Sequence, residues 1–179
     1  MNQTRLNHLD EATCKECQGR CCKRLPGAAA PEDFGETKEE RIENVLKALQ
    51  SGDWQLDHWE GDATLPKSRR EVDGPHWIRP KVLDGRTGVF SATWGGPCVF
   101  LTDTGCKLAA GARPFECRMT KPGKLGSYDC HGDYENKLTC AELWIDAGID
   151  LEALGRDVIR EQDGPWGEEF NEEERERRA

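Results

Sequence analysis

The chain has 179 residues, a net charge of -9 and only 36% hydrophobic residues, with a mean hydropathy of -0.80. That length suits one domain, and the acidic balance disfavours a nucleic-acid backbone or an anionic membrane surface as partner. No apolar run resembles a signal peptide or approaches a membrane span. The expectation is a single cytoplasmic domain over residues 1–166, followed by a charged tail over residues 167–179. Its apolar core should be small for its length, a shortfall that metal crosslinks would offset.

Taken in chain order, the first predicted element is a short helix capped by Asp10. It would carry Cys14, Cys17 and Cys21 at i, i+3 and i+7 on one face, unless Gly19 breaks it. Residues 26–31 read as a turn region. Thr37-x-x-Glu40 is a capping box opening a helix with Ile42, Val45, Leu46 and Leu49 on one stripe, closed by Gly52. Residues 54–96 hold four of the six tryptophans amid glycines and prolines, so short strands such as Trp77-Ile78 and Val82-Leu83 are expected there. Cys98 to Leu101 reads as a strand, Asp103-Thr104-Gly105 as a turn and Cys106 to Leu108 as the return of a hairpin. Pro114 can start a short helix holding Cys117. Thr139-x-x-Glu142 and Asp150 then open two helices, the second with Leu151, Leu154, Val158 and Ile159 on its apolar side. The fold class expected is α+β: a small, irregular, cysteine-rich domain stapled by metal, with a few helices and a short β-hairpin.

Seven of nine cysteines fall into two blocks, Cys14-x-x-Cys17-x-x-x-Cys21-Cys22 and Cys98 through Cys106 to Arg113-Pro114-x-x-Cys117. Thiolates two or three residues apart can turn onto one metal, whereas disulfides that close in sequence would form strained loops. In a reducing cytosol such spacing points to metal ligands rather than to structural disulfides. Four thiolates suit zinc and iron-sulfur clusters alike, so the pattern leaves the metal open between zinc and iron. The vicinal pair Cys21-Cys22 points its side chains apart, so either the two serve different metals, as in two sites sharing one segment, or only one of them is a ligand. Both blocks are basic islands: Lys15, Arg20, Lys23 and Arg24 surround the first, and Lys107, Arg113, Arg118, Lys121 and Lys124 the second. Such cations would offset the charge of a thiolate-bound metal, or else form solvated faces.

The two blocks, with Pro97-Cys98-x-Phe100-Leu101, Gly105-Cys106 and Arg113-Pro114-x-x-Cys117-Arg118, resemble the zinc- or iron-chelating cysteine-cluster family, the YkgJ-like or CxxCxxCC proteins. The Cys17 to Cys21 interval is one residue wider than the common form, and Lys107-Leu108-Ala109 replaces the frequent Ile-Tyr. The resemblance implies metal binding by about eight cysteines: Cys14, Cys17, Cys21, Cys22, Cys98, Cys106, Cys117 and, as the family's last ligand, Cys140. It leaves Cys130 as the extra thiol. A more distant similarity links that family to the cysteine-rich part of flagellin lysine N-methylases, which implies an iron-sulfur alternative.

Two function classes follow. One is a metal-binding protein with closed sites, serving a structural or metal-handling role, its partners being metal ions and an unidentified protein. The other is an iron-sulfur or non-haem iron enzyme with an open position. His58-x-Glu60 with His76 or His131 supplies the residue types of a two-histidine, one-carboxylate iron site. The same His58-x-Glu60 lacks the paired cysteines of a zinc deaminase. No phosphate loop or nucleophile elbow occurs, which disfavours nucleotide-binding and ordinary hydrolase classes. The tryptophans are expected to anchor the small core.

Overall fold

The computed structural model describes residues 19–58, 74–83, 88–91, 95–119 and 134–163. Its named elements are the helices α1 (Arg20–Arg24), α2 (Lys38–Gln50), α3 (Phe115–Met119), α4 (Tyr134–Asp146) and α5 (Leu151–Asp163). Two antiparallel hairpin sheets join them, β1 (Trp54–His58) with β2 (His76–Pro80) and β3 (Leu101–Thr102) with β4 (Gly105–Cys106). The α+β class is therefore present. The Asp10 cap, Cys14, Cys17, Glu60, Cys130, His131 and the tail 167–179 lie outside the described residues.

Local signals set α2 and α5. Thr37 accepts the Glu40 amide at 3.2 Å while the Glu40 carboxylate reaches back to the Thr37 amide at 3.2 Å, the reciprocal bonds of a capping box. The Glu36 amide, at 2.9 Å, and the Thr37 amide together hold the Glu40 carboxyl below the usual carboxylate range. Asp150 accepts the Ala153 amide at 3.0 Å and so opens α5 as expected. The apolar stripes of α2 and α5 meet over β1 and β2: Val45, Leu49, Leu56, Ile78, Trp144, Leu151 and Val158 form the main core. Gly155 permits this approach, since a Cβ there would lie 2.6 Å from Leu56 Cδ1 and 2.7 Å from Phe90 Cζ. The tryptophans that are described in this core behave as anchors. Trp144 is 1% exposed, and its indole N–H donates to the Ala29 carbonyl at 2.9 Å.

Three expectations are corrected. Residues 26–31 are no surface turn: Ala28, Ala29 and Ala30 are each 0% exposed and run through the interior. The Ala29 amide donates to the Ile78 carbonyl at 2.9 Å, so the segment adds to the edge of β2 where only small side chains fit. Thr139 opens no helix, because α4 begins five residues earlier at Tyr134. Glu135, Asn136, Lys137 and Leu138 contain no helix breaker, which leaves the apparent capping box in the helix interior. The strand expected from Cys98 to Leu101 is shorter: Val99 and Phe100 form a turn, and the ladder holds only Leu101↔Cys106 and Thr102↔Gly105. Cys98 instead bridges Val82, because the Val99 amide donates to the Lys81 carbonyl at 2.9 Å.

Among the described residues, three buried ion pairs tie the interior. Arg79, 0% exposed, spends its guanidinium on Asp57 at 2.8 Å and on the Pro80 and Ser91 carbonyls at 3.1 and 2.6 Å. Asp33 takes Arg118 at 2.7 Å, so this member of the basic island is a structural cation rather than a solvated one. Glu116, 1% exposed, takes Lys137 at 2.9 Å and the Ala28 amide at 2.6 Å. Removing one partner of such a pair strands the other charge in the interior, which costs about 3–5 kcal/mol. Glu116→Ala should therefore lower unfolding free energy by ~3–5 kcal/mol in urea titration, whereas Glu43→Ala, which breaks an exposed pair with Lys47, should cost under about 0.5 kcal/mol. Equal losses would contradict the assignment of Glu116 as a buried tie.

Candidate metal centre

The segment from Gly19 to Ala28 is the common neighbour of the cysteines that the structure describes. Gly19, with φ +67°, stands immediately before α1. A Cβ at Gly19 would lie 2.7 Å from Leu101 Cδ1 and 3.8 Å from Gly105 Cα, which sets the β3–β4 hairpin of Cys106 against this end. One turn further on, the Cys22 carbonyl accepts the Cys98 amide at 2.7 Å, and the Arg24 carbonyl accepts the Gly96 amide at 2.5 Å. Farther along, a Cβ on Gly27 would lie 2.7 Å from Cys117 Sγ and 2.8 Å from the Cys117 amide nitrogen. Beyond it, Cys140 donates its thiol to the Ala28 carbonyl across 3.8 Å. Cys98, Cys117 and Cys140 thus meet this segment in order along the chain, and the hairpin that carries Cys106 lies at its start.

Of the eight predicted ligands, Cys14 and Cys17 fall outside the described residues, and Cys21 is described by its place in α1 alone. Cys22, Cys106 and Cys117 are half-buried, while Cys98 is 4% and Cys140 0% exposed. No two of the described cysteines are joined by a disulfide. Cys98 Sγ accepts the Phe100 amide at 3.4 Å, an N–H···S contact that favours electron density on that sulfur. Among the described residues, no three His, Cys, Asp or Glu side chains are already gathered on one point as a metal site.

Cys140 differs from the others. Burial pushes its thiol far up, and Glu116, Asp33 and Glu32 push in the same direction against the weaker pull of Lys137. It lies in a small apolar cluster with Ala28, Trp77 and Ala141, against which Phe115 packs. The Trp77 indole N–H, in a side chain 3% exposed, has no acceptor among the described residues. By residue type, a set of cysteine donors suits a soft or borderline metal.

Away from the cysteines, His58 and His76 face each other across β1 and β2 with ring centroids 5.4 Å apart. Burial holds His76 below its ordinary value, and the neighbouring Glu152 carboxylate only partly opposes this. Sequence reasoning singled out both histidines but had no means of pairing them with Glu152, which is distant in sequence. Beside His76 a cavity of about 410 Å³ is lined by Pro75, Trp144, Ile149, Asp150 and Glu152. Comparison with known proteins finds no matching family model, no matching curated protein and no matching solved structure.

Two outcomes follow. Gly27→Ala should destabilise the protein by ~1–3 kcal/mol, since the new methyl meets both the sulfur and the backbone of Cys117. It should also lower the metal bound per chain; a melt and a metal content like the unaltered protein's would remove Gly27 from this role. The depressed His76 loses stability as pH falls through 6.5, because the unfolded chain takes up the proton first, and loses none above it. Urea titrations of chelator-treated protein at pH 7.5, 6.5 and 5.5 should show a steeper decline than those of His76→Gln, and parallel declines would refute the assignment.

Proposed function

We propose that the protein is a cytosolic metal-binding protein. It coordinates zinc or iron through the thiolates of Cys14, Cys17, Cys21, Cys22, Cys98, Cys106, Cys117 and Cys140, in a structural or metal-handling role. The observation that carries the reading is the gathering of Cys98, Cys106, Cys117 and Cys140 along residues 19–28, the continuation of the first block. Cysteines separated by about a hundred residues of sequence meet one strip of backbone, where spacing alone could not bring them. Bound there, zinc would supply a tetrahedral crosslink between otherwise short elements, while iron, alone or as an iron-sulfur cluster, would add redox capacity. The chain's own contribution is to position sulfurs: Glu116 and Lys137 fix α3 against α4, and Gly27 lets Cys117 approach.

The test is elemental analysis with an ultraviolet-visible spectrum on protein purified anaerobically. Metal should be present in at least equimolar amount, and Cys22→Ser and Cys117→Ser should each remove half or more of it. Zinc without visible absorption would mark the structural or metal-handling form, and iron with sulfide and a broad brown band the cluster form. Chelation under reducing conditions should lower the melting temperature, because a structural metal stabilises only the folded state. Metal-free protein from anaerobic purification, or full metal content in both serine variants, would overturn the proposal.

A further inference from the structure

We propose a second, thiol-free metal site in which His58, His76 and Glu152 bind one divalent ion of the zinc, cobalt or nickel class. The antiparallel register sets His58 directly opposite His76 at the end of the β1–β2 ladder. Directly opposed residues of a hairpin carry Cβ atoms about 5 Å apart, so two imidazoles can close on one ion without moving the backbone. Their ring centroids lie 5.4 Å apart with planes 37° from parallel. Two imidazoles that share a tetrahedral ion through nitrogens at ~2.1 Å place their centroids roughly 5 Å apart, so the pair already stands at chelating separation.

Two more observations point to a ligand there. His58 Nδ1 is buried and has no hydrogen-bond partner among the described residues. His76 Nδ1 faces the carboxylate of Glu152 across 4.0 Å, too far for a hydrogen bond and a short side-chain shift from the ~3.3 Å that separates two donors on one tetrahedral ion. Phe90 stands edge-on to His76 at 5.9 Å between centroids and holds the ring from the side. The three side chains do not yet converge, in keeping with the absence of a ready three-ligand group among the described residues. Glu152 is held by Arg156, an exposed i, i+4 partner that it would release on binding the ion. Imidazole and carboxylate donors select borderline divalent ions, whereas the cysteine centre suits softer binding; the two sites are independent. Neither stands or falls with the other.

The protein, as purified with whatever metal its cysteines hold, is titrated anaerobically with cobalt(II). The site should yield paramagnetically shifted, exchangeable imidazole N–H resonances from two histidines, and weak visible bands without the intense charge-transfer absorption of cobalt thiolate. His58→Gln should abolish those resonances and weaken cobalt binding at least tenfold. Glu152→Gln changes a half-exposed side chain and leaves the fold intact, and it should weaken binding at least threefold. Cys22→Ser should leave the imidazole signals unchanged, which separates this site from the thiolate centre. Cobalt affinity unaltered in His58→Gln or in Glu152→Gln, or uptake seen only as thiolate charge transfer, would overturn the proposal.

Discussion

The buried passage of residues 27–33 is the constraint on which the rest depends. Backbone that enters a core must find a partner for every polar group, and here the partners come from β2, α3, α4 and the passage itself. The Ala28 amide goes to Glu116, and the Ala28 carbonyl takes the Glu116 amide; Ala29 exchanges with Ile78 and Trp144; Ala30 is closed by Asp33. Asp33 Oδ2 also accepts the Phe115 amide at 2.7 Å, while its other oxygen holds Arg118. One seven-residue passage therefore fixes β2, α3 and α4 relative to each other. A larger side chain at Ala28 or Ala29 would force that lattice open, since packed interiors relax only partly.

The same passage brings Cys117 and Cys140 against two adjacent residues, Gly27 and Ala28. Cys117 follows Glu116 directly in α3, and Cys140 lies one helical turn beyond Lys137 in α4, so the ion pair between Glu116 and Lys137 sets the two cysteines against Gly27 and Ala28. Backbone hydrogen bonds do the corresponding work for Cys98 at Cys22. None of this uses metal as a former of secondary structure. Metal binding in the proposed function would close a frame whose geometry the buried charges and the alanine passage already impose.

Elements whose specification is local were legible. The capping box at Thr37 and Glu40, the Asp150 cap and the short helix after Pro114 each need only a few adjacent residues, and each stands as read. Pairing between distant segments was not legible. A Pro-Gly-Ala-Ala-Ala-Pro stretch reads as a turn from composition, yet its small side chains are what lets backbone pass through a core. Thr139 and Glu142 match a cap by spacing but lie within a helix that Tyr134 begins, because nothing upstream stops it. The pairing of His58 with His76 depends on strand register, while Glu152 comes from α5, more than seventy residues further along the chain. Cysteine spacing identified candidate ligands within each block, whereas the strip that joins the blocks emerged only with the fold.

Cys140 shows how metal binding and folding would be coupled in the proposed centre. As a thiol it is at home: apolar neighbours surround it, its hydrogen goes to the Ala28 carbonyl, and acidic residues oppose its ionisation. Ionisation without compensation would set a buried negative charge near Glu116 and Asp33, an arrangement that proteins avoid. A cation supplies the compensation, so the proton on Cys140 and the metal become mutually exclusive occupants. In the proposed centre the apolar burial of Cys140 would therefore favour a cation of high affinity for thiolate over a weakly bound one, since only the former could displace the proton.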